Sequence, residues 1–155
     1  MKVQEIMTRE VQCCGPNTDL AVASKMMWDS DCGVLPVLNV EGKVIGVITD
    51  RDICMAVATR NKPAWAITVW ETASGKAWTC RDTDDVHTAL DIMKREKVRR
   101  LPVVDGDGVL QGMLSMNDLV LHAEDPRVKK APELSFGDVI HALKAISQHR
   151  VLVGI

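Results

Sequence analysis

Displaced by 66 positions, the sequence falls on itself: Pro36 lands on Pro102, Gly42 on Gly108, Gly46 on Gly112 and Asp52 on Asp118. Apolar stretches keep the same register. VLPVLN (34–39) matches RLPVVD (100–105), KVIGVIT (43–49) matches VLQGMLS (109–115), and SKMM (24–27) matches LDIM (90–93). Turn glycines, strand prolines and acids recurring at one offset mark a tandem of two units, and missing such a period would misread the whole fold. Each unit has about 60 residues, a size at which a lone domain buries little of its surface, so the halves are expected to pack on each other. With 155 residues and 46% hydrophobic content, the chain has enough apolar material to do so.

Each unit has a readable order. TDLAVASKMM spaces Leu20, Ala23, Met26 and Met27 as a helix with Thr18 as N-cap. VLPVLN reads as a buried strand, NVEGK as a turn, VIGVIT as a second strand and DRDICMAVATR as a closing helix. DVHTALDIM, LPVVD, DGDG, VLQGML and MNDLVLH repeat that series, and IMTREVQC and TASGKAWTC are expected to be leading strands. The predicted class is α/β (α+β): two β-α-β-β-α repeats, 1–62 and 63–122, whose small mixed sheets are covered by helices on one side. Residues 123–155 follow as linker and tail. AEDPRVKKAPEL carries Pro126 and Pro132, and SFGDVIHALKAISQHR is an amphipathic helix. Its start is a Ser135/Asp138 capping pair and its apolar face is Phe136, Val139, Ile140, Leu143 and Ile146, with His141, Lys144 and Arg150 opposite. VLVGI at the end is a candidate strand.

The stretch GVITDRDI sets Asp50 and Asp52 around Arg51, which suggests an acid pair for catalysis. The repeat argues otherwise, because Asp50 falls on Met116 and Arg51 on Asn117, while Thr49 falls on Ser115 and Asp52 on Asp118. What recurs is a hydroxyl at a strand end and a carboxylate three residues on, in the first turn of a helix, with Asp50 left as a cap. A helix start presents unpaired N–H groups and a positive dipole end to a phosphate, and a carboxylate there can accept both hydroxyls of a ribose. The same residues can equally be simple helix caps, worth about 0.3–1 kcal/mol. Lys97, Arg99 and Arg100 in KVRRLPVV supply positive charge, and the two guanidinium groups can fork onto phosphate oxygens; all three can also simply end a helix in solvent.

The tandem units, the elements GVITDRD and GMLSMND, the apolar-Pro-Val strands and the opening IMT together resemble the CBS-domain pair, or Bateman module, over residues 1 to about 122. The resemblance implies a pseudo-twofold module with clefts for an adenosine-containing ligand: AMP, ADP or ATP, ahead of S-adenosylmethionine or NAD. It assigns ribose binding to Asp118 and Asp52, and places Ser115 and Thr49 near ribose and phosphate. Arg99 and Arg100 become candidates for the phosphates, with Arg51 in part. Ala77, Trp78, Thr79, Val98, Leu101 and Pro102 are the expected adenine walls. Since Cys32, Gly33 and Val34 stand where the second unit has Val98, Arg99 and Arg100, the clefts are expected to differ, with phosphate going mainly to one built from Arg99, Arg100 and Asp118. Ile6–Thr8, which lines a cleft in this family, has a weak counterpart at Thr72–Ser74. The resemblance also implies a homodimer and an unidentified regulated protein partner. A dimerisation unit with vacant clefts is the rival.

Other classes find little support. Net charge is −2, so no global basic field draws the chain to nucleic acid or an anionic membrane. No apolar run reaches the length of a signal segment or membrane span, and a cytoplasmic location is expected. Five cysteines without a C-x-x-C pair read as buried thiols, with adjacent Cys13 and Cys14 poorly placed to bridge each other. His87, His122, His141 and His149 show no metal-ligand spacing, and no nucleophile or phosphate-loop motif occurs, so neither a metal nor enzymatic activity is expected. Trp28, Trp65, Trp70 and Trp78 can stack on a base or fill a core or an interface.

Overall fold

The computed structural model describes residues 1–73 and 76–148. The first repeat opens with a one-turn helix, α1 (Val3–Ile6), and continues through α2 (Leu20–Asp29), β1 (Val34–Leu38), β2 (Val44–Thr49) and α3 (Asp50–Thr59). After a 3-10 turn at Ala64–Ala66, the second repeats the order with α4 (Val69–Thr72), β3 (Cys80–Arg81), α5 (Val86–Glu96), β4 (Arg100–Val104), β5 (Leu110–Ser115) and α6 (Met116–His122). A tail helix, α7 (Phe136–Ser147), follows.

Both hairpins are antiparallel, with Pro36 opposite Val47 and Pro102 opposite Met113. Each turns on an Asx side chain: Asn39 accepts from the backbone of Glu41 and Lys43, and Asp105 from Asp107 and Val109. Gly42 and Gly108 supply the positive φ, 77° and 84°. β3 adds to β4 in parallel and makes a mixed three-stranded sheet; in the first unit only Cys14, bridged to Val37, holds the equivalent place.

The leading strands are therefore mostly not strands. IMTREVQC begins at the end of α1 and contributes a single bridge at Thr8, with a second at Cys14 just after it, and among its described residues TASGKAWTC contributes only Cys80, the first residue of β3, with Ser74 and Gly75 outside the described residues. Short capped helices explain the difference. Val3 and Ile6 are both buried at helical spacing, Glu5 accepts from the Lys2 N–H, and in α4 Thr68 and Glu71 form a capping box. The cap of α2 is likewise Asp19, which accepts from Val22 at 2.9 Å, while Thr18 accepts from Gly15.

The two opening helices are exchanged. Val3, Ile6 and Met7 are buried with Cys80, Val86, Met93, Leu101 and Leu119 in the core of the second unit, whereas Ile67 and Val69 complete the core of Cys14, Leu20, Leu35, Ile48 and Ile53 in the first. Backbone bonds repeat the exchange: Val3 N to Asp84 O (2.9 Å) and Val69 N to Thr18 O (2.7 Å). Each aliphatic side chain buried this way contributes about 1.5–3 kcal/mol, so neither core is complete without the other unit.

α7 docks on α5 and α6 of its own chain, burying Val139 and Ala142 with Leu134 nearby. Its Ser135/Asp138 capping box forms as expected, but Phe136 and Ile140 remain about half exposed. Arg150, His149 and the VLVGI segment lie outside the described residues.

Candidate functional site

The two recurring hydroxyl–carboxylate pairs are capping boxes. Asp52 Oδ2 accepts from the Thr49 N–H at 2.9 Å and from its hydroxyl at 2.7 Å, and Asp52 N–H donates back to Thr49 Oγ1 at 3.1 Å. Ser115 and Asp118 repeat this at 2.7, 2.6 and 3.3 Å. Each carboxylate spends one oxygen on its helix start. Asp118 Oδ1 also accepts from Thr8 Oγ1 at 3.4 Å, while Oδ1 of Asp52 takes no hydrogen bond among the described residues. Thr8 is brought in by paired backbone bonds with Met113 (2.9 and 2.8 Å). That approach is possible because residue 112 is glycine: a Cβ there would lie 2.5 Å from the Thr8 carbonyl oxygen.

Each box opens on its own cleft. The first, of about 660 Å³, joins Thr49 and Asp52 from the first unit to Trp78, Val98, Arg99 and Pro102 from the second, with Arg51, Lys76 and Lys97 adding positive charge. The second, of about 600 Å³, joins Ser115 and Asp118 to Thr8, Glu10, Gln12, Asp31 and Cys32. Both volumes fall in the range of small-molecule sites. Arg100 and Val34 border both clefts. The strand register explains this, because Arg100 pairs with Ser115 and Val34 with Thr49.

This grouping corrects the expected one. Arg99 does not share a cleft with Asp118; it lies with Asp52, and of the two arginines only Arg100 borders both. Each cleft takes its helix start from one unit and its pre-strand segment from the other, so residues close in sequence separate. Of the expected adenine walls, Trp78, Val98 and Pro102 line the Asp52 cleft, with Lys76 Nζ 3.9 Å from the Trp78 ring centre. Leu101 is fully buried in the core, Thr79 faces a separate hollow beside Arg81 and Asp105, and Ala77 lines neither cleft. Asp50 is not a cap: Thr49 holds that position, and the Asp50 carboxylate accepts from the next N–H, that of Arg51, at 2.7 Å. Lys76, Glu10 and Asp31 were missed, although applying the 66-residue offset to the flanks of the clefts would have paired Glu10 with Lys76 and Asp31 with Lys97.

A third hollow, between α2 and α3, is lined by Trp28, Cys32, Asp50 and Cys54 and has no cationic side chain to hold a phosphate. Trp28, Trp65 and Trp70 are exposed, which leaves Trp78 as the cleft's ring. Burial pushes the Cys14 thiol up to about 11 and Cys80 to about 12, so both stay protonated and unreactive near neutral pH. Among the described residues no cluster of three or more His, Cys, Asp or Glu could hold a metal ion, and no helix is long and apolar enough to cross a membrane.

An uncharacterised 17.7 kDa protein of Acidianus ambivalens is 36% identical over 118 residues, 76% of this chain and 70% of that one. The chain spans only 22% of the inosine-5'-monophosphate dehydrogenases it also matches. A CBS domain protein of Pyrobaculum aerophilum, solved in complex with AMP, superposes with TM-score 0.70 at 25% identity, over 77% of this chain and 90% of that one. Hypoxic Response Protein I, solved with two coordinated zinc ions, gives TM-score 0.73 at 26% identity, over 80% and 100%. The CBS domain model matches residues 3–59 and again 70–125, and with both repeats accounted for the chain belongs to the CBS-domain family as a tandem pair.

Proposed function

We propose that the chain is a regulatory module that binds AMP, ADP or ATP in the Asp52 cleft, ahead of S-adenosylmethionine or NAD, and acts by changing shape against a protein partner. One observation carries this: a single cleft brings the start of the ten-residue α3, with Thr49 and Asp52, against Arg99, Arg100 and the apolar wall of Trp78, Val98 and Pro102. The ring and aliphatic groups suit a base, the remaining Asp52 oxygen suits a ribose hydroxyl, and the guanidinium groups suit phosphate. The AMP complex of the Pyrobaculum relative supports the ligand class. A ligand held by both units at once biases a partner to the extent that it binds two arrangements of the units unequally.

The dimerisation reading keeps one specific support. Met55 on α3 and Leu121 on α6 are equivalent positions and are 54% and 80% exposed, an apolar pair suited to a second copy. We place the protein in the cytoplasm, in keeping with five cysteines that are all free. Thermal unfolding with AMP, ADP and ATP tests the proposal. A ligand at one hundred times its Kd stabilises the folded state by about 2.7 kcal/mol, and no shift with any of the three, nor with S-adenosylmethionine or NAD in the same assay, leaves dimerisation as the function.

A further inference from the structure

Superposed by the 66-residue repeat, the two clefts differ mainly in charge. Lys76, Lys97 and Arg51 line the Asp52 cleft where the matched residues of the other are Glu10, Asp31 and Asn117, and Arg99 adds a further cation whose match in the repeat, Gly33, carries no side chain and does not line the Asp118 cleft. Five cationic side chains face three carboxylates in the first; in the second, Arg100 alone faces Glu10, Asp31 and Asp118. The recurring capping box is the same in both, so it cannot tell one ligand from another. The flanking charges can, because a cleft wall of one sign concentrates ions of the other and repels its own.

Resting on the reading of the Asp52 cleft as a nucleotide site, we infer that the pair sorts ligands by charge. Phosphate-bearing nucleotides occupy the Asp52 cleft alone, and Glu10 and Asp31 are specificity-determining residues that close the Asp118 cleft to them. Both are exposed at its rim, on the two segments, before α2 and after it, that correspond to the Lys76 and Lys97 segments of the other cleft. One nucleotide polyphosphate then binds per chain.

The test is titration calorimetry with ATP on the full chain and on the Glu10→Lys/Asp31→Lys variant. The variant keeps the fold by construction: Lys97 already holds a lysine at the left-handed φ of 56° that Asp31 adopts at 48°, and Glu10 is exposed. Asp31→Asn with Glu10→Gln, which removes the charges and keeps a residue tolerant of that φ, is the milder control. We expect one ATP per wild-type chain and two per chain in the lysine variant, with the first affinity within about threefold of wild type and the neutral variant between them. Two equivalents in the wild type, or one in a folded lysine variant, would overturn the sorting while leaving the Asp52 site standing. No ATP binding to the wild type would overturn the nucleotide reading itself, and the sorting with it.

Discussion

Asp31 and Lys97 hold the same left-handed backbone conformation, φ 48° and 56°, at equivalent places after α2 and α5, and they bring opposite charges to the rims of different clefts. A shared backbone with divergent side chains is what a duplicated unit looks like once its two copies have taken separate tasks. It moves the candidate phosphate site to the side of the molecule where Asp52, not Asp118, is the acid.

Asp52→Ala should therefore weaken ATP binding by about tenfold, on the order of 1.4 kcal/mol, while Asp118→Ala changes it little. The comparison is controlled by the fold, because each substitution removes the same capping box and costs a similar amount of helix stability. Calorimetric affinities decide it, and a larger loss at Asp118 would return the phosphate site to the second box.

That ranking reverses the expectation from sequence, and the reason is physical. The repeat made β1, β2, β4, β5 and the longer helices legible through period and turn chemistry, and GVITDRD with GMLSMND marked Asp52 and Asp118, which the structure places in equivalent capping boxes. Which basic residue meets which acid was not legible, since it depends on how the units cross. Arg99 and Arg100 are adjacent in sequence, yet only Arg100, paired in register with Ser115, reaches the Asp118 side. The exchanged helices were hidden for a similar reason: four residues are too few to show a period, and IMT reads as well as a strand as it does as the end of a capped turn.

The exchange predicts a nonlocal cost. Val3 is fully buried in the core of the second unit, so Val3→Ala should destabilise that unit by about 2 kcal/mol, in the range of large-to-small core changes. Hydrogen exchange should show the loss of protection in α5 and α6 more than in α2 and α3. Loss confined to the first unit would contradict the exchanged packing.

Gly112→Ala sets a methyl group 2.5 Å from the Thr8 carbonyl oxygen, a backbone atom that cannot swing aside. The substitution should cost about 1–3 kcal/mol by overpacking and displace Thr8 from Asp118. Thermal unfolding reads the first effect, and amide shifts at Thr8 and Met113 read the second. A stability equal to wild type would mean the two segments do not meet so closely.

Thiol chemistry should follow burial. Cys54 is exposed, while Cys14 and Cys80 are buried with thiols held well above their ordinary range. Iodoacetamide at neutral pH should label Cys54 first, and Cys14 and Cys80 only on unfolding. Mass spectrometry of the timed reaction checks the order, and early labelling of Cys80 would mean its core opens readily.

The tail helix should respond to acid. Asp138 accepts from the Ser135 hydroxyl at 2.6 Å and its N–H at 2.9 Å, with His87 nearby, and these hold its carboxyl below the ordinary 3.8. A depressed folded-state value means the contribution is fully present above the unfolded value of about 4 and is lost as pH falls through the lower, folded one. Unfolding midpoints measured from pH 6 down to 2 should fall most steeply below about 4. Asp138→Asn, which retains an acceptor but no charge, should lower the plateau and flatten that decline. Because Asp85 is also depressed, chiefly by the His87 backbone N–H, some slope must remain in the variant. An unchanged slope in Asp138→Asn would show that the α7 cap carries none of the acid sensitivity.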